Sequence, residues 1–168
     1  AMLKGSIVHN AYEALWDDFD ISKAENMNEE ELHFYFTSLF PIDDYGEVYD
    51  NVIDFEIQRF LQSKQEGTLS SYVPLENEVT LDAEILIPFD ADPTHELKRS
   101  YIVHLQGIID RVFQEGDICF PMELKTGIWK DAKLSHMRGE MAFYKLLMDE
   151  QIDENGERLF PPVTKWGW

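Results

Sequence analysis

The sequence predicts an α/β (α+β) fold with one mixed central sheet, a three-strand meander and flanking helices. Three observations predict it. Apolar residues recur at helical spacing as far as about Gln65, and the period then drops to two between Glu78 and Lys125. A second helical stretch and a short apolar run, Val163 to Trp168, follow.

Each element has its own warrant. Ser6 is placed to cap a helix running to about Trp16, with Ile7, Ala11, Ala14 and Leu15 as its inward stripe. His9 and Glu13, four apart, share another face of it. Residues 28–39 suggest a second helix, which Pro41 and Asp43-Asp44 end. From Glu47 to about Gln65 the spacing of Val48, Val52 and Phe55, and of Ile53, Ile57, Phe60 and Leu61, is again helical. Gly67 to Pro74 reads as a loop. Val79, Leu81, Ala83, Ile85 and Ile87 then alternate with Glu78, Thr80, Asp82 and Glu84, as in a strand with one solvated face. Asp90-Ala91-Asp92-Pro93 signals a turn into a second strand, about Tyr101 to Phe113. Glu115-Gly116-Asp117 connects it to a third, Ile118 to Lys125, in which Pro121 suits an edge position. A helix from about Leu134 to Asp149, a turn at Asp153-Glu154-Asn155-Gly156 and a fourth strand, Val163 to Trp168, complete the order. One domain over residues 1–168 is expected, with a helical insertion at about 25–66.

Composition excludes several classes. With 44% hydrophobic and 13% aromatic residues the chain is too apolar for an acidic disordered segment. No apolar run approaches the roughly 20 residues of a membrane span. The opening residues already follow a helical pattern and show no signal-peptide organisation, so a cytoplasmic location is expected. Cys119, the single cysteine, precludes a disulfide framework or a cysteine-ligated metal within the chain. The net charge of −19 is unevenly spread: residues 1–97 carry 4 Lys/Arg against 22 Asp/Glu, and residues 98–145 carry 8 against 6. The least acidic segment therefore contains the candidate chemistry.

That chemistry lies in Gly107-Ile108-Ile109-Asp110-Arg111 and, thirteen residues after the aspartate, Glu123-Leu124-Lys125. In a strand Glu123 and Lys125 share a face, roughly 6–7 Å apart, with Asp110 able to close a third corner from the neighbouring strand. Paired acids hold a divalent cation, and an adjacent ammonium positions a water on a phosphate. Glu-x-Lys alone is a common tripeptide, and an isolated pair of this kind is usually a surface ion pair. Here it belongs to an ordered series: Gly5-Ser6-Ile7-Val8-His9, then Gly107 to Arg111, then Glu123-Leu124-Lys125-Thr126-Gly127, then Glu140-Met141-Ala142-Phe143-Tyr144.

The series resembles the RecB-like branch of the PD-(D/E)XK nuclease superfamily, which includes the RecB and AddB nuclease domains, exonuclease V and the CRISPR-adaptation nucleases. The resemblance covers nearly the whole chain and implies a restriction-endonuclease-like core. It implies a DNA nuclease, with His9, Asp110, Glu123 and the Leu124 backbone carbonyl as metal ligands and Asp110, Glu123 and Lys125 as the catalytic set. Oxygen ligands favour Mg²⁺ or Mn²⁺. Lys125, beside two acids, is expected to stay charged and to act electrostatically. Arg111 is expected to be a structural ion pair, and Glu78 an outer-shell acid. The family's glutamine in the fourth motif is Glu140 here, expected to turn away or to be neutralised by Lys125 or Arg138. His136, Glu140 and Tyr144 lie along one helix face and are read, with Arg138, as supporting or substrate-binding residues. Nothing within the chain supports an iron–sulfur cluster.

The resemblance implies an exonuclease on single-stranded or end-processed DNA, in repair or recombination, with a helicase or a recombination or integration partner among the expected associates and no membrane. In this reading Phe34, Tyr35, Phe36 and Phe40 include a stacking platform, against the plainer reading that they are core. Two other functions compete: a catalytically inactive nuclease-fold module that binds nucleic acid, and an acidic protein-interaction or DNA-mimic protein. The second leaves the four ordered motifs unexplained.

Overall fold

The computed structural model describes residues 2–43, 45–89, 99–125 and 130–167. Helix α1 (Met2–Asp18) buries Val8, Ala11, Tyr12, Leu15 and Trp16. Its inward face is therefore rotated from the stripe expected through Ile7 and Ala14, both of which are only half-buried. Tyr12 and Trp16 bring more apolar area inward than Ile7 and Ala14 can, which decides the rotation.

A short helix, α2 (Ile21–Ala24), leads to α3 (Glu29–Leu39). Asn28 caps α3 in a reciprocal box, accepting from the Glu31 N–H at 3.0 Å while Glu31 accepts from the Asn28 N–H at 2.8 Å. Helix α4 (Gly46–Glu66) ends at Gly67, whose φ of 72° is the left-handed cap that glycine takes without strain. Phe36 and Phe40 are core residues, the Tyr35 hydroxyl accepts from the Asp20 N–H in the turn before α2, and Phe34 faces solvent. Together α1 to α4 enclose one apolar cluster, closed by Tyr72 after a 3-10 turn at Leu69–Ser71.

The sheet follows the predicted meander, with antiparallel order β1-β2-β3. Strands β1 (Glu76–Phe89) and β2 (Arg99–Glu115) are longer than the alternation suggested, and the expected turn at Asp90 to Pro93 lies outside the described residues. Strand β3 (Ile118–Met122) is shorter: it stops before Glu123 and Lys125, which therefore stand beyond the strand and not within it. The Asp110 carboxylate takes the Leu124 N–H at 2.6 Å, so a side chain replaces the ladder there.

The expected fourth strand is reduced to two parallel bridges, Cys119↔Val163 and Met122↔Gly167. Proline explains the gap. The Cys119 N–H donates to Pro162 O at 3.2 Å and the Glu123 N–H to Gly167 O at 3.1 Å, but the intervening donor position is Pro121, which has no N–H. Trp168 lies outside the described residues.

Helix α5 (Leu134–Asp149) crosses the sheet and buries Met137, Met141, Tyr144, Leu147 and Met148. A second apolar cluster forms under it from Leu81, Ala83, Ile109, Val112, Cys119 and Val163. Gly107, the glycine of the G-x-x-D-R motif, lies directly against side chains of α5. A Cβ there would lie 2.7 Å from Leu147 Cδ1 and 3.0 Å from Phe143 Cε1. Among the described residues no helix is long and apolar enough to cross a membrane.

Gly107→Ala is predicted to destabilise the protein by about 1–3 kcal/mol, because α5 must shift or its side chains leave their rotamers. Urea unfolding followed by circular dichroism measures the difference.

Candidate metal centre

Three elements deliver the central groups. Glu78 on β1 and Asp110 on β2 occupy the intervening positions of the ladder between the pairs Asn77↔Arg111 and Val79↔Ile109. His9 descends on them from α1. Its Nδ1 lies 3.2 Å from Glu78 Oε1 and 3.5 Å from Asp110 Oδ1. Ligand atoms of all three lie within 4.8 Å of one another, a grouping that can hold a metal ion. Glu78 has a φ of 51°, the single positive φ of a non-glycine among the described residues. Such a conformation costs on the order of 1 kcal/mol or more and concentrates at functional positions.

Asp110 is 8% exposed. Burial pushes its carboxyl up to about 6. The Leu124 N–H pulls in the other direction, Glu123 adds to the rise, His9 opposes it and Glu78 reinforces it. Desolvation leads because the Asp110 side chain is itself almost wholly removed from water, which disfavours its charged form.

Glu123, Lys125, Glu140 and Tyr144 form a second group. Glu123 Oε1 accepts from Lys125 Nζ at 2.5 Å, and its Oε2 accepts from the Tyr144 hydroxyl at 2.9 Å. Lys125 Nζ also lies 3.1 Å from Glu140 Oε2. Burial alone would lower the Lys125 pKa, but the hydrogen bonds and charges of Glu123 and Glu140 hold it above the ordinary lysine range. Burial, then the charge of Glu123, raises the Tyr144 phenol far above its usual value. The Glu140 carboxylate is thus neutralised by Lys125, one of the two alternatives the substitution left open. His136 and Arg138 are solvent-exposed on α5, and no contact among the described residues joins them to this network. Thr126 and Gly127 of the third motif lie outside the described residues.

Arg111 is 5% exposed, with its guanidinium 4.6 Å above the Tyr12 ring and Nη1 4.0 Å from Glu56 Oε1. It is a structural cation, as the sequence suggested. Glu78, expected in the outer shell, stands in direct contact with His9. The alternation that placed Glu78 among the solvated residues hid this. Its place opposite the motif aspartate becomes visible only with the strand register.

The sequence matches the family model described as the PD-(D/E)XK nuclease superfamily over residues 1–165. The chain belongs to that superfamily. The α+β core, with its antiparallel three-strand sheet and flanking helices, is the restriction-endonuclease-like fold of this superfamily. Members of the PD-(D/E)XK superfamily are generally divalent-metal-dependent nucleases. A comparison with curated proteins gives no match.

The donor set fits such a cation: an imidazole nitrogen and carboxylate oxygens, one of them raised in pKa by burial. In the metal-free protein an ionised Asp110 opposes folding. Between the unfolded aspartate value of 3.8 and about 6 the folded state binds the extra proton, so stability falls as pH rises through that window. Asp110→Asn is predicted to stabilise the metal-free protein at neutral pH by on the order of 2 kcal/mol, an advantage that vanishes below the window. Urea titrations across the pH range, in chelator, measure it.

Proposed function

We propose that the chain is a divalent-metal-dependent DNA nuclease of the RecB-like type that digests single-stranded or end-processed DNA. The observation that carries this is the convergence of His9, Glu78 and Asp110, with Lys125 and Glu123 beside them on the segment leaving β3. His9, Glu78 and Asp110 would hold Mg²⁺ or Mn²⁺, with Glu123 and the Leu124 carbonyl completing the shell. When bound, the cation polarises a phosphate and lowers the pKa of a coordinated water.

The chain's own groups do the rest. Lys125 stays protonated, because Glu123 and Glu140 stabilise its charge, and so it offsets negative charge growing on the phosphate and does not accept a proton. Tyr144 donates to Glu123 and fixes the rotamer of that carboxylate. Asp110 must be ionised to bind the cation, so activity falls as pH drops through about 6 unless the cation is raised in concentration.

A second reading has one observation in its favour. Lys125 is held by two carboxylates, one of which stands where the resembled pattern has an uncharged glutamine. A chain locked in that state would bind nucleic acid without cutting it.

Mn²⁺-dependent degradation of a labelled linear single strand is predicted, abolished by EDTA and reduced by about 10²-fold or more in Lys125→Ala, while Mn²⁺ binding by that variant persists in calorimetry. Metal binding with no turnover on any strand selects the inactive module. Circular single strands are predicted to resist, and equal cutting of circles and linear strands overturns digestion from ends.

A further inference from the structure

Glu56 has no exposed surface, yet it is an acid in the middle of α4, on the face that also buries Ile53, Ile57 and Phe60. Its Oε2 accepts from Arg59 Nε at 2.9 Å and from the Tyr72 hydroxyl at 2.9 Å. Its Oε1 accepts from the Tyr12 hydroxyl at 2.8 Å and faces Arg111 Nη1. These partners are not scattered. Tyr12 lies one helical turn beyond His9 on α1, and Arg111 is the neighbour of Asp110 on β2. Where α1 passes β2, the Arg111 guanidinium stacks on the Tyr12 ring, and Glu56 closes the contact from the third side.

We infer that Glu56 is a positioning residue for the metal centre: through Tyr12 and Arg111 it sets the distance between His9 and Asp110. The inference rests on the reading that these two, with Glu78, hold a cation. Apolar packing lets a helix slide or rotate over a sheet at little cost. A buried carboxylate that is hydrogen-bonded to one element and ion-paired at 4.0 Å with the other does not, because each small displacement leaves a desolvated charge short of a partner. Buried polar networks select one arrangement for that reason. Arg111, whose buried Nε has no hydrogen-bond partner among the described residues, depends on the Tyr12 ring and on the Glu56 charge for its place. A purely stabilising role would be served as well by a leucine at this position. Glu56 instead reaches the two elements whose relative placement the metal centre requires, and α4 thereby becomes part of the site without touching it.

Two conservative variants test this. Tyr12→Phe and Tyr72→Phe each delete one buried hydroxyl donated to Glu56, and each keeps its ring. Tyr12 sits on the helix that carries His9, whereas Tyr72 sits on the turn after α4. Comparable losses of stability are expected from both. Only Tyr12→Phe is expected to displace the His9 imidazole signals in a long-range ¹H–¹⁵N spectrum of the metal-free protein, and to weaken Mn²⁺ binding by about tenfold. Unchanged His9 signals in folded Tyr12→Phe, or equal displacement by both variants, overturns the inference. Should the unmodified protein bind no Mn²⁺, the metal reading fails, and the His9 signals still decide the positioning role.

Discussion

Two carboxylates face each other across neighbouring strands beneath a helix, and much of the molecule is arranged around that unfavourable contact. Like charges opposite one another on a ladder repel, and here Asp110 is also removed from water. The backbone at Glu78 adds strain of its own. Against these stand the His9 imidazole and the Leu124 N–H, both within contact of Asp110. A divalent cation is the partner that would reverse the sign of the contact. Local rules broken in one place while the surrounding structure obeys them are expected at functional or strained sites.

The site lies on the seam between two apolar clusters. One belongs to the helices and includes Leu124 at its margin; the other lies between α5 and the sheet and includes Tyr144. Consecutive residues of β2 therefore serve different ends. Ile109 enters the sheet core, Asp110 meets His9, Arg111 joins the helical core, and Val112 returns to the sheet core. Strict alternation fails over these positions, and they pair with the stretch of β1 that contains the left-handed Glu78. The adjoining network of Glu123, Lys125, Glu140 and Tyr144 hangs from the end of β3 and from α5, so α5 both covers the sheet and braces the lysine.

Legibility in the sequence followed the physics of each signal. Helices α1, α3, α4 and α5 were readable from the spacing of their apolar residues. The cap expected at Ser6 falls inside α1, which begins at Met2. The caps of α3 and α4, Asn28 with Glu31 and Gly67, came only with the structure. The meander was readable from period-two patterning and the Gly116 turn. The last strand was overread, because apolarity says nothing about whether a neighbour can donate, and Pro121 cannot. Glu56 went unnoticed as a core residue, although its spacing from Ile53 and Phe60 puts it on the buried face, because charge is normally taken as exposure.

By itself the sequence determined the order of the longer helices and the three-strand meander and the family pattern in which His9, Asp110, Glu123 and Lys125 stand as candidates, since these depend on residues near one another in the chain or on ordered motifs. Tertiary structure decided which acids meet. Register placed Glu78 opposite Asp110, the crossing of α1 over the sheet brought in His9, and the approach of α5 set Glu140 on Lys125. Those outcomes depend on strand pairing and on helix rotation, which are set by packing between segments as far apart in sequence as His9 and Asp110 and leave no trace in local spacing.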